Sequence, residues 1–341
     1  MIHVRHTRDF LISQAPLLDV RSPGEFTGGH IPGAGNLPLL DDSNRERIGI
    51  CYKQKGRDAA IALGYELVDP LREQLLESAK ALTAGNRVRL YCARGGLRSN
   101  KMAEFLETNG YEVEVLRGGY KAYRNHILGF IKNFRNIIIL SGYTGSGKTE
   151  ILEHIARMGG QVLDLEGLAN HKGSAFGALG NAPQPCSGLF HNLIYEAIRS
   201  YDPAQPLWVE SESMTIGKVY IPNELWENMQ VARGFEIVLP VQERISYILR
   251  NYGGFDAQSL IACVKTLGRR LGDEACREFC DLIEEGRLEP VVEGLFRYYD
   301  KAYEHGRKKR NCQEYVKLHF SRLEPERIAG FLLSGEREKS D

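Results

Sequence analysis

The chain has 341 residues, 43% hydrophobic and 26% charged, a composition that fits a folded globular protein and excludes a disordered, collagen-like or coiled-coil chain. At roughly 150 residues per domain the length allows two domains and a third small one. The 44 basic and 44 acidic residues cancel, so bulk charge gives no sign of a polyanionic partner, which must be argued from local clusters.

Residues 10 to 130 alternate β-type runs (Pro16–Val20, Arg87–Tyr91, Glu112–Leu116) with helical stretches, which predicts a parallel α/β sheet. A second unit opens at the apolar strand Asn136–Leu140, followed by a glycine-rich turn and a helical pattern over Lys148–Met158. Further strand candidates, Gln161–Leu165, Pro206–Glu210 and Phe235–Pro240, make this unit α/β as well. From Asp256 onward Ile261, Val264, Leu267 and Leu271 recur at helical spacing, then Phe279, Leu282 and Ile283. The expected organisation is an α/β domain over residues 1–134, a phosphate-loop α/β domain over 135–255, and a mainly helical extension over 256–341 packed on the second domain. Up to residue 134 the charge is +4, and after it −4. No internal repeat is visible, and the polar tail Ser334–Asp341 is expected to fray.

No apolar run reaches the roughly 18 residues of a membrane span, and Met1–His6 lacks the apolar core of a signal peptide, so a cytoplasmic address is the expectation. The seven cysteines are scattered without a C-x-x-C pair, which argues against a disulfide framework or zinc site. No zinc or haem is expected.

One cysteine stands apart. In Tyr91-Cys92-Ala93-Arg94-Gly95-Gly96-Leu97-Arg98-Ser99 it directly follows a strand and precedes small residues and a helix start. Inward-pointing amides, the helix N-terminus and the guanidinium groups of Arg94 and Arg98 would lower its pKa and hold a tetrahedral anion, with Gly95 and Gly96 letting the backbone turn. Cys92 is therefore the candidate nucleophile.

The run Leu18-Asp19-Val20-Arg21-Ser22-Pro23-Gly24-Glu25-Phe26 with Gly29-His30-Ile31-Pro32-Gly33-Ala34 resembles the two upstream signatures of rhodanese-like domains over about residues 5 to 130. The resemblance implies a rhodanese fold with sulfur or selenium chemistry at Cys92, and a scaffolding role for Asp19 and Arg21. Five residues separate Cys92 from Arg98, whereas most sulfur-carrying rhodaneses have four, and the longer loop resembles that of related phosphatases. A wider cradle suits a phosphate-sized anion such as selenophosphate or thiophosphate.

The second motif, Gly142-Tyr143-Thr144-Gly145-Ser146-Gly147-Lys148-Thr149, satisfies G-x-x-x-x-G-K-[ST] between a strand and a helix. The amides of Gly145 to Lys148 would wrap a diphosphate, Lys148 would neutralise it and Thr149 would offer an oxygen to Mg²⁺. A carboxylate for the metal is expected at a neighbouring strand end. Asp164 and Glu210 both qualify, and spacing does not separate them. With no nucleotide-base signature, the loop implies a di- or triphosphate rather than ATP in particular.

A rhodanese domain joined to a phosphate loop, together with Gly167–Gly177, Glu210-Ser211-Glu212-Ser213, Ile221-Pro222 and Tyr298–His305, resembles the tRNA 2-selenouridine synthase family over nearly the whole chain. Ala93 departs from the aromatic residue expected after the cysteine. The resemblance implies a transferase that geranylates the sulfur of wobble 2-thiouridine from geranyl diphosphate with Mg²⁺, then replaces the geranylthio group with selenium from selenophosphate. Its implied partners are a tRNA anticodon loop bearing 2-thiouridine and an enzyme supplying selenophosphate. An apolar slot for the geranyl chain would draw on Phe176, Leu179, Leu189, Phe190, Trp208 or Tyr220, and Tyr298, Tyr299 or Tyr303 would stack a flipped base. Cations for tRNA would come from Arg307, Lys308, Lys309 and Arg310, with Arg269 and Arg270 as a second patch. Two rival readings stay open: a phosphate-loop small-molecule kinase with a regulatory rhodanese module, and a persulfide relay protein.

Overall fold

The computed structural model describes residues 1–308 and 315–334. They fall into two compact units, Met1–Phe130 with Cys186–Glu196, and Ile131–Pro185 with Ala197 onward.

In the first unit the strands β1 (Ile2–Arg5), β2 (Leu17–Asp19), β3 (Gly35–Asn36), β4 (Arg87–Tyr91) and β5 (Glu112–Leu116) form a parallel sheet in the order β1-β5-β4-β2-β3. Leu18, Val88, Leu90, Val113 and Val115 pack with Met102, Ala103 and Leu106 of the Leu97–Thr108 helix, as in a sheet covered by helices. Central β4 delivers Cys92 to the carboxyl edge of the sheet, where open α/β sheets place their ligands. The sequence reading contains neither the four-residue β1 nor the two-residue β3, because both are too short for a pattern to stand out.

In the second unit β6 (Ile137–Gly142) is buried along its whole length. Next come β7 (Gln161–Leu163), β8 (Leu207–Glu210), an antiparallel hairpin of β9 (Thr215–Ile216) with β10 (Val219–Tyr220), β11 (Arg233–Val238) and β12 (Tyr315–His319). The sheet is parallel in the order β12-β11-β6-β8-β7, so the glycine-rich loop leaves its middle strand.

The C-terminal region is helical as expected, with helices over Ala257–Thr266, Gly268–Leu271, Asp273–Glu284, Leu288–Lys308 and Pro325–Ser334. It also contains β12, which pairs along β11. The last helix buries Ile328, Ala329 and Leu332 with Ile151, Leu152 and Ile155 of the phosphate-loop helix Lys148–Arg157. Residues 256–334 thus contribute to the core of the second unit. The strand escaped the helical reading because a five-residue edge strand gathers little burial.

The segment Cys186–Glu196, placed by the sequence reading in the second domain, belongs to the first unit. Arg124 donates to the side-chain Oδ1 of Asn192 (2.6 Å), and the Asn192 Nδ2 donates to the His30 main-chain carbonyl (2.6 Å) and the Tyr120 hydroxyl (2.9 Å). These bonds join residues far apart in sequence, and helical periodicity holds no information about them. Among the described residues no helix is long and apolar enough to cross a membrane.

Candidate functional site

Cys92 follows the last residue of β4 and is 3% exposed. Its carbonyl accepts from the Tyr120 amide (2.8 Å), and that of Ala93 from the Lys121 amide (3.0 Å). Gly119, at φ +60°, lies so close to the Cys92 carbonyl and the Gly95 amide that a Cβ there would clash with backbone, so only glycine lets the two turns nest. The Cys92 Sγ is 3.2 Å from the Ser99 hydroxyl oxygen. Burial pushes the thiol up, but hydrogen bonds from Ser99 and from the amides of Arg94, Ser99 and Gly96 outweigh it and hold the group below its ordinary value. Thiolate character is what a nucleophile or chalcogen carrier needs here.

Arg98 is placed differently from the expectation that it grips an anion. Its guanidinium forms a two-pronged pair with the Glu25 carboxylate, at 2.5 and 3.0 Å. Glu25 is also the capping-box residue of the short Pro23–Thr27 helix. Arg98 therefore stiffens the loop, whereas Arg94 is exposed and has no carboxylate partner among the described residues. Asp19 and Arg21 form a buried pair at 2.6 Å, with Arg21 also bonded to the Gly29 carbonyl and stacked over Tyr120, in keeping with a scaffolding role.

Burial pushes the Glu25 carboxyl up, but Arg98 and Ser22 overcome this and hold it at about 2. Because the folded value lies below the ordinary 4.5, its stabilisation is complete above pH 4.5 and is lost as pH falls toward 2. The expected result is that wild type melts above Glu25→Gln at neutral pH and that this gap closes on acidification below about pH 4.5. Calorimetry of both proteins across pH checks it, and a gap independent of pH would sink it.

In the phosphate loop Gly145, at φ +86°, lies 2.8 Å, measured from an added Cβ, from the Arg244 carbonyl, so a side chain would not fit. The buried Arg244 guanidinium donates to the Thr144 carbonyl (2.9 Å), pairs with Asp300 (2.6 and 2.9 Å) and lies over the rings of Tyr143 and Phe296. That clamp fixes one flank of the loop. The Ser146 amide is taken by the Tyr143 carbonyl (3.1 Å), which removes one donor from the expected wrap, and the Ser146 hydroxyl is buried with no hydrogen-bond partner among the described residues. Such an orphan is costly unless a ligand satisfies it.

Lys148 donates to the Gly142 carbonyl (3.2 Å) and lies 3.3 Å from Glu210. Burial works to lower the ammonium, but Glu210, Tyr303, Glu166 and Glu212 together raise it, so it stays charged. Thr149 donates to Glu210 (3.1 Å). Of the two carboxylates that spacing left open, Glu210 therefore stands at the loop, at the end of β8. Asp164 is the N-cap of the Leu165–Ala169 helix and accepts from the Gly167 amide (2.8 Å), so it is directed at that helix start.

Glu166, Glu210 and Glu212 bring one carboxylate oxygen each within 4.8 Å of one another. Burial, with Glu210 and Glu212 beside it, pushes Glu166 far up, and Lys148 only partly offsets this. Glu166 and Glu212 were missed by the sequence reading. For Glu212 a signal existed, since Glu210 and Glu212 stand two apart at a strand end, the spacing that shares a face.

Of the expected geranyl-slot residues, Phe176 lines an apolar cavity that also touches Thr144 of the phosphate loop, with Ile248, Tyr252, Leu295, Phe296 and Tyr299. Leu179 packs in the neighbouring helical cluster and Trp208 lies in the sheet core, stacked on Phe235. Leu189 and Phe190 belong to the first unit, and Tyr220 is exposed. Tyr298, Tyr299 and Tyr303 are engaged within the second unit, through Arg270 (3.1 Å), the Ala175 amide (3.3 Å) and Ser141 respectively. Arg269 and Arg270 are exposed neighbours. Lys309 and Arg310 lie outside the described residues, as do the side chains of Arg307 and Lys308.

A family model described as the tRNA 2-selenouridine synthase AAA domain matches residues 135–324, and one for the rhodanese-like domain matches residues 8–126. A tRNA 2-selenouridine synthase of Shewanella sediminis (strain HAW-EB3) is 36% identical over 334 residues, covering 87% of this chain and 89% of its own. That of Shewanella frigidimarina (strain NCIMB 400) is 37% identical, covering 80% of each chain. That of Shewanella woodyi (strain ATCC 51908 / MS32) is 34% identical, covering 87% of this chain and 89% of its own. With a cysteine loop in one unit, a phosphate loop in the other and this similarity along most of its length, the chain belongs to the tRNA 2-selenouridine synthase family.

Proposed function

We propose that this enzyme converts wobble 2-thiouridine in tRNA to 2-selenouridine in two reactions. The phosphate-loop unit transfers a geranyl group from geranyl diphosphate to the sulfur, and the cysteine-loop unit exchanges the geranylthio group for selenium from selenophosphate. The observation that carries this reading is the presence of two chemically different anion cradles in one member of this family. One holds a buried ammonium among carboxylates, and the other a thiol biased toward its anion.

In the first reaction the sulfur forms a bond to the allylic carbon as the carbon–oxygen bond to diphosphate breaks, and the electron pair leaves on the diphosphate. Lys148 and the loop amides face that developing charge, and the orphan Ser146 hydroxyl is a further donor. The oxygen set of Thr149, Glu210, Glu166 and Glu212 fits a hard divalent cation. Magnesium, when bound there, neutralises leaving-group charge as a Lewis acid.

The apolar cavity beside Thr144 holds the prenyl chain. Its volume of about 80 Å³ is below the roughly 150 Å³ that takes up benzene. The Tyr252 and Phe296 side chains must therefore part to admit ten carbons. In the second reaction a carbon–selenium bond forms at C2 of the base and the carbon–sulfur bond breaks. Geranylthiolate leaves with its electron pair and takes a proton, and water hydrolyses the phosphorus–selenium bond to release phosphate. Arg94 steadies the phosphate and the Cys92 thiolate assists attack at C2: it displaces geranylthiolate to form a thioether there, which selenophosphate displaces in turn, returning the thiolate. Arg269 and Arg270 offer charge to the RNA backbone.

Glu210→Gln is expected to slow geranylation more than tenfold and to raise the Mg²⁺ concentration needed for half-maximal rate. Asp164→Asn, which keeps a capping oxygen, should change neither by more than about twofold. Rates against Mg²⁺ for both variants check this, and equal behaviour would move the metal site elsewhere.

The direct test of the whole reading is mass spectrometry of tRNA nucleosides after incubation with geranyl diphosphate, Mg²⁺ and selenophosphate. The expected products are S-geranyl-2-thiouridine, then 2-selenouridine. Absence of both sinks the reading, and rapid ATP turnover without tRNA would favour the kinase reading.

A further inference from the structure

The first unit contains a cleft of about 760 Å³ between the helix pair Asp42–Lys55 and Arg57–Val68 on one side and the Leu97–Thr108 helix on the other. The volume is within the range of small-molecule sites. Its wall includes Leu97 and Arg98, which belong to the cysteine loop, so the cleft adjoins the selenium centre. Most of the lining surface is apolar, from residues such as Leu39, Ile48, Ile61 and Phe105.

Three observations point to an amphiphilic occupant. The fourteen-residue Asp42–Lys55 helix buries none of its side chains, although it carries Ile48, Ile50 and Tyr52. Leu97, Tyr52 and Tyr65, all on the cleft wall, are 46%, 58% and 42% exposed, which leaves an apolar surface for something else to cover. Glycines also stand in the middle of both paired helices, where they are among the poorest helix formers. Gly49 and Gly64 line the cleft. A Cβ at Gly49 would meet nothing within 4 Å and one at Gly64 only Ile48 at 3.7 Å, so neither glycine is required by packing within the unit.

The rim supplies the second half of the chemistry. Arg72 pairs with Asp69 (2.8 Å) and Lys101 with Glu104 (2.7 Å), but Arg45 and Lys53 have no carboxylate partner among the described residues. An apolar floor with unpaired cations at its edge suits an apolar chain attached to a polyanion.

We propose that this cleft binds the geranylthio arm of the modified nucleotide, with Arg45 and Lys53 toward the neighbouring RNA phosphates, while selenium exchange takes place at the cysteine loop. It is a second prenyl site, separate from the cavity beside the phosphate loop, and it rests on the two-reaction reading above. Seating the arm here holds the carbon–sulfur bond at the nucleophile and gives geranylthiol a pocket to leave into.

The test uses the full-length enzyme and synthetic anticodon stem-loops carrying S-geranyl- or S-methyl-2-thiouridine, with selenophosphate, in single-turnover reactions. Wild type is expected to exchange the S-geranyl substrate at least tenfold faster than the S-methyl one. In Gly49→Leu and Gly64→Leu, which replace a poor helix former by a good one and fill the cleft, that ratio is expected to fall at least tenfold. Arg45→Ala with Lys53→Ala should instead slow both substrates together and weaken the salt dependence of the reaction. An unchanged S-geranyl to S-methyl ratio in both leucine variants overturns the proposal, as does a wild type that exchanges neither substrate. The prepared substrates bypass the first reaction. If wild type makes no geranylated nucleoside from geranyl diphosphate but the leucine variants still lose their preference, the geranylation half of the reading falls and the cleft stands.

Discussion

Lys148→Ala is expected to reduce geranyl transfer to tRNA about 10²–10³-fold, the usual loss when one donor to a developing anionic charge is removed. In the structure the ammonium is buried, bonded to the Gly142 carbonyl and 3.3 Å from Glu210. Its removal takes away the charge that would face the diphosphate and breaks the ion pair with Glu210. Both changes act on the same step, since each leaves more negative charge where the anionic leaving group must sit. Lys148→Met, which keeps most of the volume, separates lost charge from lost packing and should be impaired nearly as much. Single-turnover formation of S-geranyl-2-thiouridine at saturating geranyl diphosphate and Mg²⁺ is the measurement. A rate within about threefold of wild type would remove the phosphate loop from the chemistry and favour the persulfide relay.

Cys92→Ser should leave geranylation standing and lower selenium exchange by at least about 10²-fold, so that geranylated tRNA accumulates. The site is built around a group held toward its anion by the Ser99 hydroxyl and loop amides. A serine hydroxyl is nearly the same size but stays protonated at neutral pH, so it loses nucleophilicity without emptying the pocket. Quantifying thio-, geranylthio- and selenouridine in one time course separates the two reactions. Continued selenouridine formation at the wild-type rate would assign the exchange to another group. In wild type the exchange rate should rise as the thiol deprotonates and level off below the pH of an ordinary cysteine, since the folded thiol is shifted down.

Both loops could be read before any coordinates because each depends on local chemistry. A thiol after a strand and before a helix start, and G-x-x-x-x-G-K-[ST] after an apolar strand, are runs of eight or nine adjacent residues whose backbone geometry their own glycines impose. What could not be read is how each loop is held. Arg98 is 73 residues from Glu25, and Arg244 reaches Thr144 across 100. Beside the cysteine in the sequence, Arg98 reads as a grip for the anion, but the long-range pair with Glu25 engages its guanidinium.

The carboxylates near the phosphate loop show the same division. Asp164 and Glu210 follow strands in similar settings, and nothing local distinguishes them. Long-range geometry does, because β8 lies next to β6 and brings Glu210 to Thr149 and Lys148, while Asp164 after β7 caps the Leu165–Ala169 helix. Glu166 joins them although it stands 44 residues from Glu210 in the sequence.

By itself, then, the sequence determined the α/β class, the two loop motifs and the family, since these reside in composition, short-range periodicity and contiguous motifs. Only the tertiary structure decided that residues 186–196 join the first unit, that β12 closes the second sheet, that Glu210 rather than Asp164 faces the phosphate loop, and that an apolar cleft adjoins the cysteine loop. The physical reason is that such features arise from pairings between residues tens of positions apart. Burial and hydrogen bonding select among many locally equivalent candidates, and no local pattern records which one they choose.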